Sequence, residues 1–162
     1  MSQITDDTAQ RVAMAIARGL VALVHDDKHM QQVQARILSK ETKDGIEHFQ
    51  PYGFTSHPLN GAELVLVSIG GNRDHVIAIV VDDRRYRLRD LEQGDVAIYN
   101  DTGAKIVIGR DRVITIDCDA RHEESAEEVT IKTKTFKVEC ETLELSASSS
   151  IKVTSPSVDV ND

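Results

Sequence analysis

Three clusters of polar side chains contain residue types that could bind a metal ion, bind nucleic acid or take part in acid–base catalysis. The segment His25 to His29 sets two imidazoles and two carboxylates, all potential metal ligands, within five residues. The segment Arg84 to Arg89 holds four arginines around Tyr86, a combination suited to single-stranded nucleic acids. The segment Arg121 to Glu128 includes four glutamates, which suit a bound cation or paired carboxylates in acid–base catalysis.

Each cluster also has a simpler structural explanation, which we favour. A polar turn accounts for residues 25–29, and a solvated loop accounts for residues 121–128. Asp82, Asp83 and Asp90 bracket the arginines, and residues 1–89 carry 11 acidic and 11 basic side chains. A region of zero net charge lacks the positive excess that phosphate backbones require, so we expect no nucleic-acid binding there. Because a turn and a loop explain the other two clusters, we expect no metal site either.

Known catalytic arrangements are missing from the sequence. There is no Gly-x-Ser-x-Gly motif, no phosphate-binding glycine-rich loop and no cysteine–histidine nucleophile arrangement. Glu123 and Glu124 lie in a polar segment. Acid–base catalysis by two carboxyls needs an apolar pocket that raises the pKa of one of them, and the sequence indicates no such pocket here. We therefore predict that the chain is not an enzyme and takes no small-molecule substrate.

A short repeat dominates the chain after Gly94. Pairs of apolar residues, spaced two apart, return mostly every seven or eight residues. This spacing places both side chains of a pair on the same face of a β-strand. The pairs are Val96/Ile98, Ile106/Ile108, Ile114/Ile116, Val129/Ile131, Phe136/Val138, Leu143/Leu145, Ile151/Val153 and Val158/Val160.

A repeat of this length holds one short strand and a turn, which cannot enclose a core alone. Three solutions are open: three repeats form the sides of one coil, the strands pair as hairpins, or three identical chains wind around one axis. Only Thr102-Gly103 and Ser155-Pro156 resemble turn formers, which disfavours hairpins. Three intertwined chains leave no exposed sheet edge. For this reason we favour the third solution, a homotrimer.

In the predicted trimer, inward side chains of the three chains share one core. The predicted core residues are Ile106, Ile108, Ile114, Ile116, Val129, Ile131, Phe136, Val138, Leu143, Leu145, Ile151, Val153, Val158 and Val160. Cys118 and Cys140 continue the inward phase, so we expect small buried thiols rather than a disulfide. Residues 90–162 carry 16 acidic and 8 basic side chains, which predicts an acidic shaft without a nucleic-acid partner.

The first half of the chain has a different pattern. Apolar residues at near-helical spacing predict a helix over residues 8–24, although residues 20–25 also suit a strand. Gly70-Gly71-Asn72 is a hairpin signal between two apolar runs. Strands are predicted at residues 32–38, 46–51, 62–69, 75–81, 86–88 and 95–100.

So many short strands favour a small closed barrel of the oligonucleotide/oligosaccharide-binding (OB) type. The predicted fold class is mainly β: a helical segment at 1–24, an OB-fold barrel at 25–92 and a triple-stranded β-helix at 93–162. Residues 1–7 are polar and slightly acidic, so no signal peptide is predicted. No apolar run approaches the roughly 20 residues that span a bilayer.

Several segments together resemble a known family. They are the N-terminal stretch at 11–23, the loop Pro51 to Pro58 (Pro-Tyr-Gly-Phe-Thr-Ser-His-Pro), the hairpin Glu63 to Asn72 and the segment Gly94 to Asn100. With a repeat shaft after a barrel, the chain resembles the central tail spikes of contractile-tailed phages. More narrowly, it is similar to the baseplate spike (assembly protein V) class of phage Mu and Mu-like prophages.

The resemblance implies a structural protein of the virion tail baseplate, made in the host cytoplasm. A homotrimeric spike would dock on a hub protein and pierce the host outer membrane when the sheath contracts. The alternative function is a binding module, in which an OB-fold that recognises oligosaccharide or single-stranded nucleic acid is displayed on a β stalk.

Spikes of this class usually end in an apex domain, where a His-any-His pair from each chain contributes to one iron site. No such pair occurs among the six histidines of this sequence, which are His25, His29, His48, His57, His75 and His122. We therefore expect no metal and no cofactor in this chain. The tip would come from a segment beyond this sequence or from a separate protein.

Overall fold

The computed structural model describes residues 15–38 and 41–157, and the secondary structure in these segments is almost entirely β. The strands are β1 (Ile16–His25), β2 (Gln32–Leu38), β3 (Glu41–His48), β4 (Glu63–Ser68), β5 (Val76–Asp82), β6 (Val96–Tyr99), β7 (Lys105–Ile108) and β8 (Ile114–Asp117). A short 3-10 turn, Ile69–Gly71, joins β4 to β5.

The first five strands close into a barrel with the neighbour order β1-β2-β3-β5-β4. β1 is antiparallel to both β2 and β4, which closes the sheet upon itself. β3 and β5 run parallel, with Glu47 opposite Ile77. The prediction of a small closed barrel is confirmed, and five strands are consistent with the OB type.

Side chains from every barrel strand fill the interior. The buried apolar residues are Val21, Val33, Ala35, Ile46, Ala62, Leu64, Leu66 and Ala78. They alternate with outward residues along each strand, as expected for a sheet with one buried face. Several of them are alanines, so the barrel interior is narrow and is filled by protein.

The predicted helix at 8–24 is wrong for residues 16–24, which belong to β1. The earlier part of that prediction lies outside the described residues. Ile16, Leu20 and Leu23, which suggested an apolar helix face, point outward and are exposed. Pairing with β2 and β4 supplies backbone partners on both sides, and this tertiary pairing outweighs the helical spacing.

Most other strand predictions in the barrel are close to the structure. Residues 32–38 are confirmed as β2, and the runs at 62–69 and 75–81 contain most of β4 and β5. The strand predicted at 46–51 lies earlier, at Glu41–His48. Residues 86–88 are not a strand, because the amides of Tyr86 and Arg87 donate to the Asp83 carbonyl in a turn.

The strands β6, β7 and β8 form a separate antiparallel sheet in that order. The first three apolar pairs of the repeat therefore form hairpins inside one chain, the arrangement that weak turn signals disfavoured. The chain divides into two compact units, residues 1–122 and 123–162, and this sheet belongs to the first. The triple-stranded β-helix and the boundary near residue 92 stay predictions.

Candidate functional site

One face of the three-stranded sheet is entirely apolar. The register places Val96, Ile108 and Ile114 in one row and Ile98, Ile106 and Ile116 in the next. These six side chains are 38–64% exposed. An antiparallel sheet normally packs its apolar face against other protein. This surface, called the assembly face below, is therefore incomplete in a single chain.

The opposite face of the same sheet is mixed in character. Lys105 lies beside Asp117 across the β7–β8 pair, with Nζ 2.8 Å from Oδ2. This hydrogen bond, together with the attraction of the carboxylate, raises the pKa of Lys105. Ala97 and Val107 are half-buried on this side. The sheet thus has one face suited to water and one suited to protein.

Side chains of Asn100 and Asp111 build the two turns of this sheet. Asn100 Oδ1 accepts hydrogen bonds from the amides of Thr102 and Ala104, at 3.1 and 3.0 Å. Asp111 Oδ1 accepts one from the Val113 amide at 3.1 Å. Such side-chain turns replace the Asn-Gly dipeptides expected of tight hairpins. In the sequence, these turns are indicated by an Asn or Asp between two apolar pairs.

The apolar pairs continue beyond the sheet, and their side chains are exposed to solvent. In the described part of 118–157 no strand forms. The side chains of the pairs from Val129 to Val153 are 49–70% exposed. Side-chain hydrogen bonds in this segment are local, as where Thr133 Oγ1 donates to the Thr135 carbonyl at 3.0 Å. These exposed aliphatic side chains, like those of the assembly face, require a protein partner to cover them.

The predicted core residues lie in three places. Ile106, Ile108, Ile114 and Ile116 come together on the assembly face. Those from Val129 to Val153 are exposed in the single chain, and Val158 and Val160 lie outside the described residues. Cys118 and Cys140 are exposed free thiols, so their expected burial would require other chains.

At one end of the barrel, a buried polar cluster holds the loop between β3 and β4. Gln31 and His48 are nearly inaccessible, and His48 Nδ1 lies 2.7 Å from Gln31 Oε1. Burial lowers the pKa of His48, which favours a neutral ring that donates to this carbonyl. Gln31 Nε2 donates to Asp26 at 2.5 Å and to the Ser56 carbonyl at 2.9 Å. The sequence analysis did not identify this cluster.

Two of the four arginines of residues 84–89 form ion pairs within the barrel. Arg84 and Arg18 both pair with Glu63, and the Arg84 hydrogen bond is the main cause that lowers the pKa of this carboxyl. Arg85 pairs with Asp83 and donates to the Asn60 carbonyl at 2.9 Å. These contacts neutralise Arg84 and Arg85, which removes half of the positive charge that this run could offer to a phosphate backbone.

The other two polar clusters do not converge on a site. Asp27 pairs with Lys28 at 3.1 Å, and His25 Nε2 faces Asp44 at 3.4 Å. Among the described residues, no three His, Cys, Asp or Glu side chains are grouped to hold a metal ion. The expectation of a chain without metal or cofactor stays a prediction. Within the same residues, no helix has the length and hydropathy to cross a membrane.

Comparison with known proteins connects the chain to a phage. The family described as "Bacteriophage Mu Gp45, N-terminal" matches residues 18–85. "Baseplate puncturing device gp45" of Escherichia phage Mu is 35% identical over 133 residues, covering 82% of this chain and 68% of that protein. The chain belongs to the Mu Gp45 family. A second Mu Gp45 relative, "Mu-like prophage FluMu protein gp45" of Haemophilus influenzae, is 34% identical over 134 residues.

The shared region includes both parts of the fold. The Mu Gp45 family match at residues 18–85 contains nearly the whole barrel. The alignment with the Haemophilus protein covers 83% of this chain and 65% of that protein, so the chain spans about two thirds of each relative's length. The predicted resemblance to Mu-like baseplate spikes is confirmed at the level of family.

Proposed function

We propose that this chain is a structural component of a contractile phage tail baseplate, in which three copies form the central spike. The spike docks on a hub protein through its barrels and pierces the host outer membrane during sheath contraction. The assembly face, with the uncovered apolar pairs that follow it, is the observation that carries this proposal. The name of the Mu relative, a baseplate puncturing device, supports the same role.

The backbone amides and carbonyls after Asp117 are an argument for an assembly of several chains. Strands end at Asp117 in the described residues, yet the apolar pairs continue to Val153 with a spacing suited to strands. An extended segment must pair its amides and carbonyls when its side chains become buried. Neighbouring copies supply identical strands for this pairing, and a closed assembly leaves no free edge.

Three copies suit the geometry of a repeat with one strand per level. Each chain provides one side of a triangular prism, and each core layer receives the same apolar pair three times. On the assembly face, three sheets turned towards one axis would cover eighteen side chains, six from each chain. This closed threefold arrangement needs no second kind of protein.

In this proposal the work comes from sheath contraction. The spike only has to stay rigid and needs no chemical step. Ladder hydrogen bonds between stacked levels, about 4.8 Å apart, run along the axis that bears the load. Intertwined chains separate only by unwinding, so resistance to dissociation is largely kinetic. Lys132, Lys137, Glu139 and Glu141 alternate with the apolar positions and keep the outside polar.

Light scattering in buffer and in warm detergent tests this proposal. We expect a three-chain mass that survives detergent. The double variant Ile131→Asp/Val138→Asp should reduce the particle to single chains while the circular dichroism of the barrel is kept, because six carboxylates would enter one core. The matched control Lys132→Asp/Lys137→Asp alters outward positions and should stay trimeric. A single-chain mass for the wild type would contradict the proposal.

A further inference from the structure

The charged residues of segment 129–157 follow the same repeat as its apolar pairs. This segment has seven charged side chains, and all of them are exposed. Each is an odd number of residues from an apolar pair, so on a strand it points to the side opposite the pair. The seven residues are Lys132, Lys134, Lys137, Glu139, Glu141, Glu144 and Lys152.

Every one of these charges has an opposite charge one repeat away. The pairs are Lys132/Glu139, Lys134/Glu141, Lys137/Glu144 and Glu144/Lys152, at intervals of 7, 7, 7 and 8 residues. The apolar pairs that start at residues 129, 136, 143 and 151 have the same intervals of 7, 7 and 8 residues. No two like charges within the segment are one repeat apart, so strands stacked at this offset would be complementary in charge.

A single chain uses few of these charges. Among the described residues, one ion pair forms within this set, between Lys137 and Glu139, whose side chains are 75% and 76% exposed. Where strands of this protein do pair, opposite charges meet across them. Lys105 on β7 lies opposite Asp117 on β8, with Nζ 2.8 Å from Oδ2. Facing strands would give the remaining charges the same kind of partner.

A hairpin would not bring these charges together. An antiparallel register that aligns the fourth and fifth apolar pairs of the repeat places Lys132 opposite Thr135. The same register places Glu139 opposite Glu128, and like charges directly across a ladder are unfavourable. The charge pattern therefore favours parallel strands in this segment.

A coil of three repeats in one chain fits the charges poorly as well. Such a coil would stack residue 129 on residue 151, an offset of 22 residues. Lys132 would then lie over Thr154, and Lys134 would lie over Pro156. Neither lysine gains an acidic partner, so the offset of one repeat must be supplied by another chain.

Three intertwined chains supply this offset. After each repeat, a chain passes from one side of the prism to the next. The next strand on the same side therefore belongs to a neighbouring copy, runs parallel and is one repeat further along. Stacked strands lie about 4.8 Å apart, close enough for Lys132 of one copy to contact Glu139 of a neighbour.

We propose that Lys132–Glu139 and Lys134–Glu141 pairs between neighbouring copies set the parallel direction and the one-repeat offset of the shaft. The inference rests on the proposed trimer and names the register in which its chains meet. Exposed ion pairs contribute little to affinity, but like charges penalise the wrong alignment. The apolar core holds the three chains together, and the charges select which strands face each other.

Disulfide cross-linking in the full chain tests the offset. With Cys118 and Cys140 first changed to Ser, the variant Lys132→Cys/Glu139→Cys is oxidised and then boiled in detergent without reductant. We expect covalent three-chain particles, because strands about 4.8 Å apart lie within reach of a disulfide. The control Lys132→Cys/Ser146→Cys places its thiols two levels apart, at about 9.6 Å, and should give about tenfold fewer.

Charge reversal measures the contribution of the pairs. Lys132→Glu/Lys134→Glu places like charges beside each other and should lower the melting temperature of the trimer by roughly 5 °C. The three-chain mass should be kept, because the apolar core is unchanged. Adding Glu139→Lys/Glu141→Lys restores both pairs with inverted sign and returns the net charge to that of the wild type. This fourfold variant should recover most of the lost melting temperature.

A matched control separates pairing from net charge. It combines Lys132→Glu/Lys134→Glu with Glu92→Lys/Asp101→Lys, at exposed positions outside residues 129–157. Its net charge is also that of the wild type, yet it should not recover. Equal recovery in both fourfold variants, or equal cross-linking in the two cysteine variants, with a three-chain mass by light scattering, would overturn this inference and leave the spike proposal standing. A single-chain mass for the wild type would overturn both.

Discussion

Gly19 on β1 lies directly against the backbone of Arg36 on β2. A Cβ atom at residue 19 would come within 2.9 Å of the Arg36 carbonyl oxygen, closer than such contacts occur. The obstacle is main chain in a paired strand, so it cannot move aside as a flexible side chain would. Glycine is required here because the backbones of β1 and β2 approach closely at this position.

Gly19→Ala should therefore destabilise the barrel, although alanine is normally the better residue in ordered structure. We expect a loss of roughly 1–3 kcal/mol in the free energy of unfolding, the usual cost of overpacking. Urea titration followed by circular dichroism measures this loss. The control Thr42→Ala, at an exposed position of β3, should change stability by less than about 0.5 kcal/mol. Equal stability of the two variants would contradict the close approach.

Asn100→Ala should weaken the β6–β7 hairpin. The substitution removes one acceptor that serves the amides of Thr102 and Ala104 and the Thr102 hydroxyl. We expect about 1–2 kcal/mol lower stability, because these donors lose a partner. Hydrogen exchange of the β6 and β7 amides reports the effect locally. Asn100→Asp keeps the accepting oxygen and should restore protection, and failure to do so would argue against the turn contact.

His48 should make barrel stability depend on pH. Burial lowers the pKa of this imidazole in the folded state, while in the unfolded chain it stays near about 6.5. Below that pH the unfolded chain takes up a proton that the folded barrel excludes, so stability is lost on acidification.

The measurement is the urea midpoint at pH 7.5 and at pH 5.5. His48→Gln should reduce the decrease in midpoint between these values, whereas His75→Gln, at an exposed position, should leave it unchanged. A wild type and a His48→Gln variant with the same pH dependence would show that His48 titrates alike in both states.

Thiol reactivity should report assembly. Cys118 and Cys140 are exposed in the single chain, yet each continues the phase of an apolar pair. In the proposed trimer we expect both to react at least tenfold more slowly with a thiol reagent than in the Ile131→Asp/Val138→Asp variant. Rapid reaction in a verified trimer would place these thiols on the outside and reverse the predicted inward phase.

The barrel was largely predictable because its signals are local. Residues 62–69 and 75–81 are apolar runs on either side of Gly70-Gly71, and a glycine with positive φ is what their turn contains. The helix was favoured over β1, although residues 20–25 also suited a strand, because Ile16, Leu20 and Leu23 mimic helical spacing while lying on the outside of a strand. Gly19 was the local sign of the strand, because it marks a close backbone approach.

Other features depend on contacts that a linear pattern does not contain. Gln31, His48 and Gln50 are ordinary polar residues in sequence, and only the closed barrel brings them together around Ser56. The β6–β7 turn contains the turn former Thr102-Gly103, with Gly103 at a φ of 100°, but both hairpins also depend on side-chain hydrogen bonds of Asn100 and Asp111. The intertwined shaft stays a prediction because its partners are other chains.

Barrel closure also has a consequence for synthesis on the ribosome. β1 pairs with β4, so the barrel buries its strand edges without help from another copy and can do so before the residues that follow it are made. The segment with the exposed apolar pairs, from Val96 onward, is made afterwards, when a folded barrel can already be attached to it. A nascent chain would thus carry a folded barrel before its apolar pairs appear, and in the proposed trimer the slow step of biogenesis would be the meeting of three chains.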